Sequence, residues 1–299
     1  MTGRSIWMSR PSKGVGRRSR RLTPWLLLAP ILVGVTVFFL ITFGITLYDS
    51  VTFGVTGRFV GLENYIQVWN SSTFRLAMGN TLRFLLLGVP LIMVLSFALA
   101  LLAQKRFAGT RLFRSALLLP MAVGVASIVT ATEALFSETG MVNRILEALG
   151  IPAVAWLDGP AAFWVLLGLY LWKNFGYNVV LYLAGLNAIP RAYYDDAELS
   201  GASAWQKLRA VTLPMMTPTF FFVFVISVMN CFRTYREAFL LAGEHPQSDI
   251  YMLQHYLSNN FKNLNYQRLS MASVCLFLLV SVLVAVFYRF QRRYEGAMQ

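Results

Sequence analysis

Six long runs with very little charge dominate this sequence: roughly Trp25–Tyr48, Asn80–Ala103, Phe113–Phe136, Ala161–Leu186, Thr217–Leu241 and Leu269–Phe290. Each is about 20 residues or longer, the length a helix needs to cross ~30 Å of hydrocarbon. The chain's 299 residues could hold one large or two small soluble domains. Composition argues against both, because hydrophobic residues are 57% and charged residues 13%, where a soluble domain has roughly 45–50% and about 25%. A soluble protein of buried helices would not need six such runs in so short a chain. The expected fold is all-α and integral to the membrane, with six transmembrane helices.

Basic residues give the orientation. The amino tail, Met1–Leu22, carries Arg4, Arg10, Lys13, Arg17, Arg18, Arg20 and Arg21 and no acid. Lys105, Arg106, Arg111 and Arg114 follow the second run, Arg191, Lys207 and Arg209 follow the fourth, and Arg289, Arg292 and Arg293 close the chain. The opposite loops hold only Arg58, Arg75, Arg144, Lys262 and Arg268. Both termini and the segment after the fourth run are therefore expected to face the cytoplasm. The net charge of +13 follows from this bias and from attraction to anionic lipid headgroups, so no nucleic acid is needed to explain it. Trp25–Tyr48 is too long for a signal-peptide core and no small-x-small cleavage site follows it, so it reads as a retained first span. Cys231 and Cys275 lie in different runs without metal or redox spacing and read as apolar residues.

The chemistry of catalysis is missing. No GxxxxGK[ST], GxSxG or HExxH occurs, so the chain shows no P-loop of its own and no metalloprotease or hydrolase site. His245 and His255 are ten apart, which is not helix-face spacing for a metal, and read as surface histidines. Energy for uphill movement would have to come from an ion gradient or from another subunit.

Between the fourth and fifth runs stands YYDDAELSGASAWQKLRAVTLP, Tyr193–Pro214. Physically it reads as two short helices meeting at a bend. Pro190 can open the first helix, and Gly201 can end it in a left-handed conformation. Ser203 and Gln206 form an S-x-x-Q capping box, so a second helix should start near Ala204. That helix would place Trp205, Leu208 and Leu213 among apolar contacts and leave Lys207 and Arg209 to solvent or lipid phosphate. Thr217 and Pro218 offer a cap and a first residue for the next span. A plain turn needs only a few residues, so the segment is either a docking surface or an interfacial structural loop.

The stretch resembles the EAA loop of binding-protein-dependent ABC transporter permeases, whose pattern is E-A-A, two residues, an acid, G-A, and later an apolar-x-L-P ending. Asp195, Asp196 and Ala197 stand for the triplet, Gly201 and Ala202 for the G-A pair, and Val211–Pro214 for the end. Asp195 and Asp196 replace Glu-Ala, Ser200 replaces the acid, and Leu208 replaces a common Phe. Further along the chain, FVGLENYIQVW, NTLRF, RSALLLPMAVG, GMVNRILEALG, LAGLNAIP and AFLLAGEHPQSDIYMLQHYLSNNF are similar to the sugar-permease branch, relatives of the maltose and glycerol-phosphate permeases. That branch often has TGGGP where this chain has AGEHP.

The resemblance implies a basic cytoplasmic tail (1–22) and a permease transmembrane domain (23–299) with a coupling loop at 191–214, in a bacterial or archaeal-type inner membrane. It implies a second homologous permease, two copies of an ABC ATPase that hold ATP and magnesium, and an extracytoplasmic solute-binding protein; this chain would bind no cofactor and catalyse nothing. Asp195, Asp196, Ala197, Ser200, Gly201, Ala202, Trp205, Leu208 and Pro214 would be the coupling positions. The solute would be a sugar, with glycerol phosphate or a polyol as non-sugar alternatives. Two readings compete. An ion-driven secondary transporter would need an intramembrane carboxylate, and only Glu133 and Glu237 offer one, near the outer ends of runs. A membrane enzyme would need a catalytic constellation.

Ionisable residues within spans are costly and tend to face cavities or each other. Lys173 lies about 18 Å down the fourth run and Asn230 about 20 Å from the inner end of the fifth. Lys173, Asn178, Asn230 and Arg233, with Trp172 and Tyr177 as aromatic faces, are expected to line a wet passage, replacing a sugar's water shell. Alternatively Arg236 and Glu237 reach to the outer interface and Lys173 bonds to a neighbouring permease. Arg233 and Glu237 are four apart and could pair along one helix face.

Overall fold

The computed structural model describes residues 19–53, 57–104 and 110–295. The basic tail expected at 1–22 lies largely outside them, as do Lys105 and Arg106. In chain order the helices are α1 (Ser19–Val35), α2 (Thr42–Val51), α3 (Glu63–Asn70), α4 (Ser72–Ala103), α5 (Thr110–Ala122), α6 (Val125–Phe136), α7 (Met141–Ala148) and α8 (Ala161–Ala188). They continue as α9 (Arg191–Leu199), α10 (Ala204–Lys207), α11 (Leu213–Met215), α12 (Thr217–Arg233), α13 (Tyr235–Ala242), α14 (Leu253–Lys262) and α15 (Tyr266–Glu295). Wider π turns over Thr36–Ile41 and Leu208–Thr212 join α1 to α2 and α10 to α11. Among the described residues the only strand-like pairing is one isolated bridge, Thr52 to Phe59. The protein is all-helical.

Among the described residues four helical stretches are long and apolar enough to cross a membrane: Leu27–Val51, Ser72–Ala103, Thr217–Ala242 and Tyr266–Arg293. The third apolar run is not one straight helix as expected. It is Ser115–Ala122 followed by Val125–Ala148, bent by 94°. The cause is local: Pro120 interrupts the ladder and Gly124 is extended, at φ −62° and ψ 145°. As a pair these halves make a fifth candidate span. The fourth run forms the 28-residue α8, ample in length. It falls short of the hydropathy of the other four because Lys173, Asn174 and Asn178 sit in its middle.

Packing centres on α8, which lies against α4, α5 and α12. Phe84, Ile92, Phe163, Leu166 and Tyr170 form one buried layer, with edge-on ring contacts from Phe84 to Phe163 and to Tyr170. A second layer joins Ala100, Tyr182, Leu186 and Met216 beside the 191–214 segment. A third joins Phe74, Leu253, Tyr256 and Met271 at the other end of α4. The close approach of α5 to α8 needs a glycine: a Cβ at Gly176 would lie 1.6 Å from the Leu117 carbonyl oxygen. Any side chain there would push α5 off α8, a strain close packing does not absorb. The stretch Leu27–Val51 is unlike the rest, with none of its most apolar window buried in the chain. Its α2 half packs against α15, through Phe43 and Phe277, and against α3.

His255 is a second departure from expectation. It is fully buried, not on the surface, because α14 folds back against α4 and α15. Its Nδ1 accepts the Met252 amide hydrogen at 3.1 Å. Burial, and then His245, push its pKa down to about 4 from 6.5. The native state therefore holds a neutral ring while the unfolded chain takes up a proton below 6.5, so stability is full above that pH and is lost as pH falls towards 4. Thermal unfolding followed across this window should show that slope. His255→Asn, which keeps a neutral acceptor, should flatten it.

Candidate functional site

Two regions carry polar or exposed groups that packing does not explain. The first is the bend after α8. Pro190 stands just before α9 as its N-cap, at φ −60° and ψ 135°, rather than as the first helical residue. At the other end the Gly201 amide donates to the Glu198 carbonyl and the Ala202 amide to the Ala197 carbonyl, each at 2.9 Å. This is the paired closure that a left-handed C′ residue permits, and Gly201 has φ +75°. Ser203 then caps α10: the Gln206 amide donates to its Oγ at 3.4 Å, and its own amide donates to Gln206 Oε1 at 2.7 Å. The capping box expected from S-x-x-Q is present.

Lys207 is not free, because its Nζ meets Glu198 Oε1 at 2.7 Å and ties α10 back to α9. That hydrogen bond and charge hold the Glu198 carboxyl below the usual carboxylate range. Tyr194 and Thr212 share a 3.0 Å hydroxyl contact, which anchors α9 to the chain leading into α12. Two further expectations fail. Thr217 does not cap α12, since its hydroxyl donates back to Pro214 O at 2.8 Å and Met216 takes the N-cap place. Trp205 does not join the core: at 67% exposed it stands out with Leu199 at 89% and Tyr193. A four-residue helix offers no second face to bury it. Asp195, Asp196 and Ser200 are exposed beside them, while Ala197, Ala202, Leu208 and Pro214 are half-buried beneath. The bend is thus a stiff helix pair showing acids and large apolar side chains outward.

The second region is a cavity of about 330 Å³ where two interrupted helices meet α8. Met121 and Val125 border it from the break between α5 and α6, and Arg233 and Thr234 from the break between α12 and α13. Lys173 and Asn174 face it from α8, with Asn230, Arg236 and Glu237 opposite. Lys173 Nζ and Glu237 Oε1 are 2.5 Å apart, and Glu237 is 4% exposed. The expected Arg233–Glu237 pair does not form. Glu237 turns instead to α8, and Arg233 Nη1 donates to Asn230 Oδ1 at 3.5 Å. Glu237 Oε2 is buried with no hydrogen-bond partner.

Of the six expected passage residues, the cavity brings together Lys173, Asn230 and Arg233 and leaves out the others. Trp172 points to a separate, apolar cavity with Trp156 and Trp164. As Lys173's neighbour it is turned about 100° around the helix, so the two cannot share a face. Tyr177, one turn on, does not reach the lining. Asn178 is wholly buried against α12, where its Nδ2 donates to Ser227 Oγ at 3.0 Å. Arg236 and Glu237, which the sequence places towards the outer interface, join the lining where Glu237 meets Lys173 of α8, a long-range contact that has no sequence signal. Among the described residues no cluster of histidine, cysteine and acidic side chains could hold a metal.

The whole chain has known relatives. It is 30% identical over 275 residues to the trehalose/maltose transport system permease protein of Thermococcus litoralis, covering 90% of this chain and 93% of that protein. It is 28% identical over 245 residues to the lactose transport system permease protein of Rhizobium radiobacter, covering 78% and 80%. Its fold superposes with a TM-score of 0.79 on a chain of a bacterial ABC transporter that imports the acidic polysaccharide alginate, at 21% identity and over 93% of this chain and 99% of that one. Residues 20–299 match the model of one family. An all-helical chain with apolar spans, an exposed helical bend and a polar cavity between broken helices therefore belongs to the binding-protein-dependent transport system inner membrane component family.

Proposed function

We propose that this chain is one of two permease subunits of an ATP-driven importer, and that it passes a sugar or sugar-like solute from an extracytoplasmic binding protein into the cytoplasm. The membrane would be crossed six times. The four apolar stretches supply four crossings, the bent pair a third span in chain order, and α8 the fourth, its polar middle shielded by neighbouring helices. Both termini and the α9–α10 bend would then face inward, as the basic residues ask.

One observation carries the coupling role. The bend is locked internally by the Gly201 closure, the Ser203 capping box and the Glu198–Lys207 pair, yet it leaves Leu199 and Trp205 uncovered. A stiff element with large apolar side chains outward suits a cleft on a partner protein. An ATPase seated there could pass rigid-body motion through α9 to α8 and through α10 to α12. Asp195, Asp196 and Ser200 would contact that partner, with ATP and magnesium held on it. Lys173, Asn230 and Arg233 would line the passage; Asn178 would support it from behind.

The test is composition of the native complex. Tagged chain purified from its own membrane should bring down a second permease and an ATPase. Leu199→Asp with Trp205→Asp should lose the ATPase and keep the permease. Retention of the ATPase in that variant would contradict the docking surface.

A further inference from the structure

The charges around the α8 cavity do not balance. Lys173 and Glu237 neutralise each other at 2.5 Å. That leaves two guanidinium groups, Arg233 and Arg236, facing a space that holds no other carboxylate. Arg233 has only one long hydrogen bond, to Asn230 at 3.5 Å, and no ion pair or hydrogen bond ties Arg236 to another described residue. Both are exposed near the outer end of the Thr217–Ala242 stretch, so water solvates them until a ligand enters. A neutral sugar entering here would displace water from both guanidiniums and give back no charge.

We propose that this cavity receives the oxyanion of an anionic carbohydrate, so that the solute of the importer carries a carboxylate or a phosphate. The inference rests on the importer reading above and narrows its substrate class. Guanidinium groups grip carboxylate and phosphate through parallel N–H donors, a geometry that neutral hydroxyls do not match. The same cavity holds the complementary half of a sugar contact. Glu237 lines the same space, and a carboxylate placed there can take a hydroxyl hydrogen from the ring. Asn230, 8% exposed, adds an amide beside it. A hydroxyl donor next to an oxyanion describes a sugar acid or a polyol phosphate. At about 330 Å³ the space is at the small end of ligand pockets, which run from about 300 to 1,000 Å³. One ring or one phosphorylated triose unit would pass at a time.

The test uses the intact complex from native membranes and four probes in two matched pairs: D-galacturonate with D-galactose, and glycerol 3-phosphate with glycerol. Phenylglyoxal modifies arginine, and its rate at Arg233 and Arg236 can be followed by peptide mass spectrometry, with exposed Arg58 as the internal control. Each anion is expected to slow modification of Arg233 and Arg236 about tenfold more than its neutral twin, the ratio given by roughly 1.4 kcal/mol of charge-assisted bonding. Arg58 should not change. Protection by galacturonate alone assigns a carboxylate solute, and by glycerol phosphate alone a phosphorylated one; either supports the inference. Equal protection by the neutral twins, or none by either anion, overturns it. A complex that contains the ATPase but shows no anion protection sinks this inference and leaves the importer reading standing. Anion protection in a chain that brings down no ATPase does the reverse.

Discussion

Gly201→Trp is expected to leave the chain inserted and folded while reducing ATP-driven uptake to background. The backbone at this position has φ +75°, which costs a side-chain-bearing residue about 1–2 kcal/mol. A Cβ there would meet nothing within 4 Å, so no clash adds to that strain. The damage falls on the surface instead. The indole would stand between Leu199 and Trp205 and hold off whatever seats on them. Gly201→Asn, which tolerates the left-handed conformation and adds little bulk, should keep most of the activity. Uptake and ATP hydrolysis measured together in the reconstituted complex separate the outcomes. Hydrolysis without uptake, or neither, fits the lever; unchanged uptake in Gly201→Trp does not.

Lys173→Ala is expected to destabilise the protein by roughly 1–3 kcal/mol, the usual cost of leaving a buried acceptor without its donor, since Lys173 itself is only part-buried. Glu237 is 4% exposed and its Oε2 already has no partner, so losing Lys173 removes the hydrogen bond to its other oxygen. The pair joins α8 to α13 across 64 residues of sequence, and the cavity walls would loosen with it. Lys173→Met combined with Glu237→Leu should recover much of the stability, because replacing both charges removes the stranded one. Uptake should stay impaired. Thermal unfolding in lipid nanodiscs decides the matter: a Lys173→Ala protein as stable as wild type would mean that the pair does not hold these helices together.

The parts of this structure legible in the sequence are those fixed by neighbours along the chain. S-x-x-Q specified the Ser203 capping box, and glycine after Leu199-Ser200 specified the turn, because a left-handed position admits little else. Helix α8 begins at Ala161 as read and ends within two residues of the expected Leu186. What depended on distant partners was less visible. Arg233 and Glu237 satisfy the i, i+4 rule, yet Glu237 pairs with Lys173 of α8, a partner 64 residues away in the chain. Trp172 and Lys173 are adjacent and point apart around α8, so they line different cavities. Asn178 is polar within an apolar run, but its hydrogen bond goes to Ser227, 49 residues away and invisible to local spacing. The break in the third run was legible in PMAVG, where a proline and a glycine lie four apart, but run length alone hid it.

The most direct measurement places a single cysteine at Leu199 and asks what it can reach in inside-out membrane vesicles that carry the whole complex. A short bifunctional maleimide should join this chain to the ATPase subunit, and a membrane-impermeant maleimide should label the same cysteine there but not in right-side-out vesicles. Labelling from the outer face, or a complex in which Leu199→Cys never cross-links to a nucleotide-hydrolysing partner, would contradict the claim that this bend is where the motor takes hold.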